Sequence, residues 1–258
     1  QYGANQTITV ADVAGSITNQ SSDLTYTYRW LKDNGEIAGN VDNISIARNT
    51  TANGDYTLEI TASLSGYTSK TTIVNFKVTI NTIDLTAGKI SSNSGEYKHA
   101  DYAGEITIPV TVGSEKETSY TIASHLAKEN FWFEVRLKSA EVGQIFNAGT
   151  YTISLHGDST IYNNPSYQTT FTVNVYTYEL TSDDVTGLGK YFGDADPDPI
   201  TVTKVFTFGA DNTESVQINF TRVEDGEAVG KYEVEVASIS PTGNYSITAP
   251  KGNDFFEI

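Results

Sequence analysis

"GDYTLEI", Gly54 to Ile60, returns as "GTYTISL" from Gly149 to Leu155 and as "GKYEVEV" from Gly230 to Val236. Each copy writes Gly-x-Tyr ahead of two alternating aliphatic residues, at intervals of 95 and 81 residues. Alternation at every second position puts the tyrosine and both aliphatics on one face of an extended strand. Glycine admits a tight corner before the strand, the ring fills the edge of a core, and the hydroxyl needs a backbone partner there. A strand entered the same way three times predicts three units built to one plan, with Tyr56, Tyr151 and Tyr232 as largely buried core residues at equivalent positions.

Each unit also closes alike. After the first copy come Tyr67 and "FKVTI"; after the second, Tyr167 and "FTVNV"; after the third, Tyr245 and "FFEI". Period-two alternation continues elsewhere, in Ile106, Ile108, Val110 and Val112, and again in Val216, Ile218 and Phe220. Helical spacing is arguable only in "IASHLAKEN", Ile122 to Asn130, which reads as a two-turn helix or a loop. The expectation is an all-β fold. Its boundaries follow from parity, because a strand that keeps its buried face keeps its parity. Phe76, Val78 and Ile80 are even whereas Ile83 and Leu85 are odd; Phe171, Val173 and Val175 are odd whereas Tyr178 and Leu180 are even. The phase resets near Asn81–Thr82 and near Tyr176–Thr177, which divides the chain into 1–81, 82–176 and 177–258. Neither reset contains Gly, Pro or a Ser-rich tract, so one unit is expected to run straight into the next as a stiff, extended string.

Composition narrows the function classes. A chain of 258 residues is long enough for several cores, and without cysteine it forms neither disulfides nor thiolate metal sites. Its 16 basic and 32 acidic residues give a formal charge of -16, which repels nucleic acid and anionic membrane surfaces. No apolar run approaches the ~20 residues that span a bilayer. Gln1 opens directly on strand-like sequence, so any export signal is expected to be removed or to lie outside this stretch.

All three segments resemble known families. "TYTYRWLKDNGEI", Thr25 to Ile37, followed by "ANGDYTLEI", is similar to an immunoglobulin-type domain. The resemblance puts Trp30 at that family's core tryptophan position on strand C and Tyr56 at its tyrosine corner; Leu58 replaces the usual second cysteine. "GKYFGDADPDPITVTKVF" with "GKYEVEVASISPTGNYSIT" resembles the MBG-type Ig-like repeats of bacterial cell-surface proteins, and "DYAGEITIPVTVG" with "NAGTYTISLHGDSTIYNNPSYQTTFTVNV" looks like a more distant relative. The resemblance implies three tandem Ig-like β-sandwiches, an extracellular or cell-surface setting, and display or adhesion without catalytic residues.

Several constellations compete with that reading. Asp194, Asp196 and Asp198 have i, i+2, i+4 spacing, which on a strand would gather three carboxylates for calcium; Pro197, Pro199 and the absence of an EF-hand pattern argue against a metal. His99, His125 and His156 match no zinc spacing. "HGDST", His156 to Thr160, imitates an esterase nucleophile block but lacks a following helix, so a hairpin loop is expected. The sequons at Asn5, Asn19, Asn43, Asn49, Asn219 and Asn244 are what an Asn-, Ser- and Thr-rich chain produces by chance. In "ENFWFEVRLK", parity turns Phe131, Phe133, Val135 and Leu137 inward and leaves Trp132 outward with Glu134 and Arg136, as a sugar platform, a protein contact or an interdomain wedge.

The chain is therefore expected to be a non-catalytic stalk or adhesion region, monomeric, cofactor-free, and directed at a host or cell-wall protein or glycan. The alternative is a carbohydrate-binding accessory module of an extracellular enzyme.

Overall fold

The computed structural model describes residues 5–15, 23–123, 130–163, 165–210, 212–250 and 255–258. Among them helix is confined to the short pieces Val10–Ala14, Thr50–Ala52 and Ser182–Val185, and strands supply the rest of the regular structure. The fold is all-β, as the alternation implies. Most of the stretch read as helix or loop, with His125 in it, falls on residues 124–129 and lies outside the described residues.

In the first segment, Thr25–Lys32 lies between Gly35–Gly39 and Gly54–Ser63, and Lys70–Val78 completes the sheet. Gln6–Thr9 pairs with Asn43–Ile46 separately. Trp30, Tyr56, Leu58 and Ile60 from the larger sheet meet Ile44 and Ile46 from the smaller one in a buried cluster. The Trp30 indole donates to Val41 O at 2.9 Å, which satisfies its only polar atom inside that core.

The second segment repeats this two-sheet plan. Ala140–Glu141, Phe131–Leu137, Gly149–Gly157, Gln168–Asn174 and Ser94–Glu96 form one sheet, the last pair parallel. Thr118–Thr121, Thr107–Val112 and Leu85–Ala87 form the other. In the third segment Ile200–Phe208, Asn212–Arg222 and Val234–Ser240 make a sheet, Tyr176–Glu179 runs parallel to Tyr245–Thr248, and Lys231–Tyr232 pairs with Phe256–Glu257. Tyr176 already pairs with Tyr245, so the third segment's pairing starts one residue before the parity division at 177.

The three motif tyrosines make one hydrogen bond in common. Each hydroxyl donates to the carbonyl four residues earlier: Tyr56 to Ala52 at 2.8 Å, Tyr151 to Asn147 at 2.7 Å and Tyr232 to Ala228 at 2.7 Å. A Cβ on Gly149 would lie 2.8 Å from Leu137 Cδ1, and φ there is +150°, so glycine is needed at that corner. The third copy is built more loosely than the other two. Tyr56 and Tyr151 are buried, but Tyr232 is only half-buried, covered by the Arg222 guanidinium 5.1 Å above its ring and by Gly226.

Every paired strand keeps to 6–78, 85–174 or 176–257, yet the buried side chains divide differently. The first segment has its own cluster, whereas the second and third share one continuous cluster from Leu85 to Ile258.

Candidate functional site

The place where the second and third segments meet is the most densely functionalised part of the molecule. Tyr97 follows the parallel edge strand Ser94–Glu96 and is 1% exposed. Its ring lies 5.4 Å from Tyr245, 5.8 Å from Phe208 and 5.9 Å from Phe146, edge to face in each case. The hydroxyls of Tyr97 and Tyr245 both donate to Glu214 Oε2, at 2.8 and 2.5 Å. His99 Nδ1 stands 3.1 Å from the same oxygen, and its ring stacks on Phe208. Burial pushes both phenols well above their ordinary range, and the nearby carboxylate adds to the shift.

Asn244 completes the contact. Its side chain donates to Asn147 Oδ1 at 3.1 Å and accepts from the Ala148 amide at 2.9 Å. Among the described residues it is the buried polar one, so this sequon's amide is engaged in packing. The arrangement positions two sheets.

On the outer face of the second segment, register pairs Trp132 directly with His156 across neighbouring strands. Trp132 is 39% exposed, and its indole stacks on the imidazole at 5.6 Å with an interplanar angle of 15°. Glu134 joins the group: it accepts from Arg136, and one of its oxygens lies 3.3 Å from His156 Nε2. The hydrogen bond from Arg136 holds the Glu134 carboxyl below its ordinary range. Trp132, Glu134 and Arg136 thus share one surface, and His156 lies within Gly149–Gly157 as the indole's partner.

The aspartate string does not form a common face. Residues Tyr191 to Asp194 turn, no strand covers 194–198, and Asp194 and Asp198 are exposed while Asp196 alone turns inward. Asp196 lies 2.7 Å from Lys190 Nζ in an ion pair not aligned as a hydrogen bond, and it accepts from Arg222 Nε at 2.7 Å. Glu227 lies 2.5 Å from the same lysine and 3.0 Å from Arg222. The adjacent Lys190 ammonium is the main cause holding the Asp196 carboxyl below its ordinary range, with Arg222 adding to it. Among the described residues no group of His, Asp and Glu is arranged to hold a metal ion. "HGDST" ends a strand and turns at Asp158, whose carboxylate accepts from Thr160 and whose carbonyl accepts from the Ile161 amide.

Residues 179–255 match the family described as MBG domain (YGX type), which covers less than one third of the chain. The matched stretch contains "YFGDADP" and the third Gly-x-Tyr copy. No match was found among curated proteins. Among solved structures the chain is similar to an amphioxus IgVJ-C2 molecule at 12% identity, over 68% of this chain and 98% of that one, with a TM-score of 0.25. A likeness at that score carries no argument, and the fold rests on the strand pairing described above.

Proposed function

We propose that the chain is a string of three β-sandwich modules, 1–81, 82–176 and 177–258, acting as a non-catalytic stalk or adhesion region of a bacterial cell-surface or secreted protein. The observation that supports this most is the shared core of the second and third segments, sealed by Tyr97 and Tyr245 on Glu214. Aromatic packing around a bonded carboxylate resists bending between modules, which is what holding a partner-binding surface away from a cell requires. The partner is a host or cell-wall protein or glycan. Small-angle X-ray scattering of the intact chain tests the reading: a monomeric, rod-shaped particle is expected, and a compact particle would contradict it.

The surface around Trp132 favours a second reading, carbohydrate binding by an accessory module. An exposed indole backed by His156 and flanked by Glu134 and Arg136 offers a stacking plane with polar neighbours. A glycan array with the intact chain and with Trp132→Ala separates the two. Carbohydrate binding is expected to weaken by about 1 kcal/mol or more in the variant, as for interface aromatics. Melting should shift by only a few degrees, because the side chain is outside the core. An array with no bound glycan would leave display as the function.

A further inference from the structure

The far end of the third segment repeats the geometry by which the second segment holds the third. In the second segment the Thr172 amide donates to the Asn93 carbonyl at 2.9 Å, and four residues beyond Asn93 stands Tyr97. In the third, the Glu257 amide donates to the Leu188 carbonyl at 3.2 Å, and four residues beyond Leu188 stands Phe192. The antiparallel partner strands agree on this offset, since Tyr151 pairs with Phe171 and Tyr232 with Phe256. The tyrosine hydroxyls supply an independent match: with Asn147 and Ala228 as their acceptors, Val229 occupies the place of Ala148.

Equivalent positions differ sharply in cover. Tyr97 is 1% exposed beneath the third segment, and the Ala148 amide is bonded to Asn244. Phe192 is 70% exposed, its neighbour Tyr191 85% and Val229 76%. The Lys190–Glu227 ion pair at 2.5 Å holds the 190–194 turn beside the 227–229 loop, and Ile258 exchanges hydrogen bonds with Gly230 at the same end. Large apolar side chains gathered at the end of a sandwich mark an interaction surface. Counting from the same matches, Asp194 and Glu227 stand where His99 and Phe146 stand in the occupied junction. A carboxylate in the place of Glu214 would be repelled by that rim, and an amide or a cation would be accepted.

We propose that Tyr191, Phe192 and Val229 form a docking face for the leading end of another module like the third segment, joined in line after Ile258, with an uncharged or basic residue where Glu214 stands. The inference rests on the modular reading of the chain. It adds a prediction about spacing: the residue following Ile258 supplies the carbonyl for the Phe192 amide, as Asn174 does for Tyr97 at 2.8 Å.

The test extends the whole chain by a second copy of residues 174–258 placed directly after Ile258 and carrying Glu214→Gln in the added copy. Hydrogen exchange at Tyr191, Phe192 and Val229 of the original segment is expected to slow about tenfold or more relative to the unextended chain, as amides do on becoming buried. Phe192→Asp with Val229→Asp in the original segment should restore fast exchange and let the added copy reorient, while both copies keep their strand content. An added copy that folds but leaves exchange unchanged would overturn the proposal. So would one that fails to fold, since an equivalent face should support it as the second segment supports the third. Self-association of the unextended chain that is abolished by the same pair of substitutions would also overturn it, by showing that the face takes a separate molecule. Rod-shaped scattering is measured on the unextended chain, so the stalk reading and the docking face fail separately.

Discussion

The two junctions use the same part of the fold and differ in chemistry. At the first, Thr50, in the short helical turn ahead of the first Gly-x-Tyr strand, gives its amide and its hydroxyl to Thr160 O, at 2.8 and 3.1 Å. The connecting chain is held from either side, by Asn53 bonding both the amide and the carbonyl of Ile80 and by Thr82 bonding Asn163. At the second, the loop ahead of the next Gly-x-Tyr strand again meets the following segment, through Ala148 and Asn244, but the rings of Tyr97, Phe146, Phe208 and Tyr245 and the Glu214 carboxylate gather beside it. Neutral hydrogen bonds near water contribute about 1 kcal/mol each, whereas a buried ring contributes several times that. Position in the fold therefore settles where segments touch, and side-chain chemistry settles how firmly. The first segment is expected to unfold independently, and the second junction to behave as part of one core.

The largest expected effect is that of Tyr97→Ala. Loss of a fully buried ring packed against three others should cost about 3–5 kcal/mol in urea unfolding and separate the second and third segments into distinct transitions, with the first segment unchanged. An effect below about 1 kcal/mol would place the second junction in the same class as the first. Glu214→Ala comes next, at about 2 kcal/mol, because it leaves the Tyr97 and Tyr245 hydroxyls buried without their acceptor.

Alkaline pH should act more weakly on the same contact. The Tyr97 and Tyr245 phenols sit above their ordinary value of 10.0, so the folded state keeps protons that the unfolded chain releases. Their contribution is complete below pH 10 and is lost as pH rises beyond it. Burial also raises the Tyr56 phenol of the first segment, but the second junction adds two phenols on one carboxylate, so urea unfolding followed upward from pH 9 should show the coupled second and third segments weakening more than the first; equal weakening of the first segment would remove the distinction. Thr50→Ala, the smallest, removes one of two bonds to Thr160 O and should shift stability by roughly 0.5 kcal/mol without altering the second junction. A loss as large as that from Tyr97→Ala would mean that the first junction carries hidden burial.

The all-β fold was legible because alternation is written locally: Leu58 and Ile60, or Phe131, Phe133 and Val135, declare a buried face within one strand. The Gly-x-Tyr copies likewise mark hydrogen bonds that span only four residues. The second junction was not legible. Tyr97 and Glu214 are 117 residues apart, each in an ordinary strand context, and only the packing of two sheets brings them together. Asn244 reads as a sequon until its amide is seen bonded on both sides. The indole of Trp132 was readable as outward from parity, but its stacking on His156 depends on the register between two strands, which the pattern of one strand cannot specify. The aspartate string was legible only in part: Pro197 and Pro199 signalled that equal spacing need not mean a common face, but not that the chain turns and delivers Asp196 alone to Lys190 and Arg222.

Calorimetry of the unaltered chain tests most directly the claim that the second and third segments form one body apart from the first. Two transitions are expected, the larger carrying the unfolding enthalpy of residues 82–258 as a single cooperative step that Glu214→Ala splits in two. Three independent transitions in the unaltered chain, unmoved by that substitution, would contradict it.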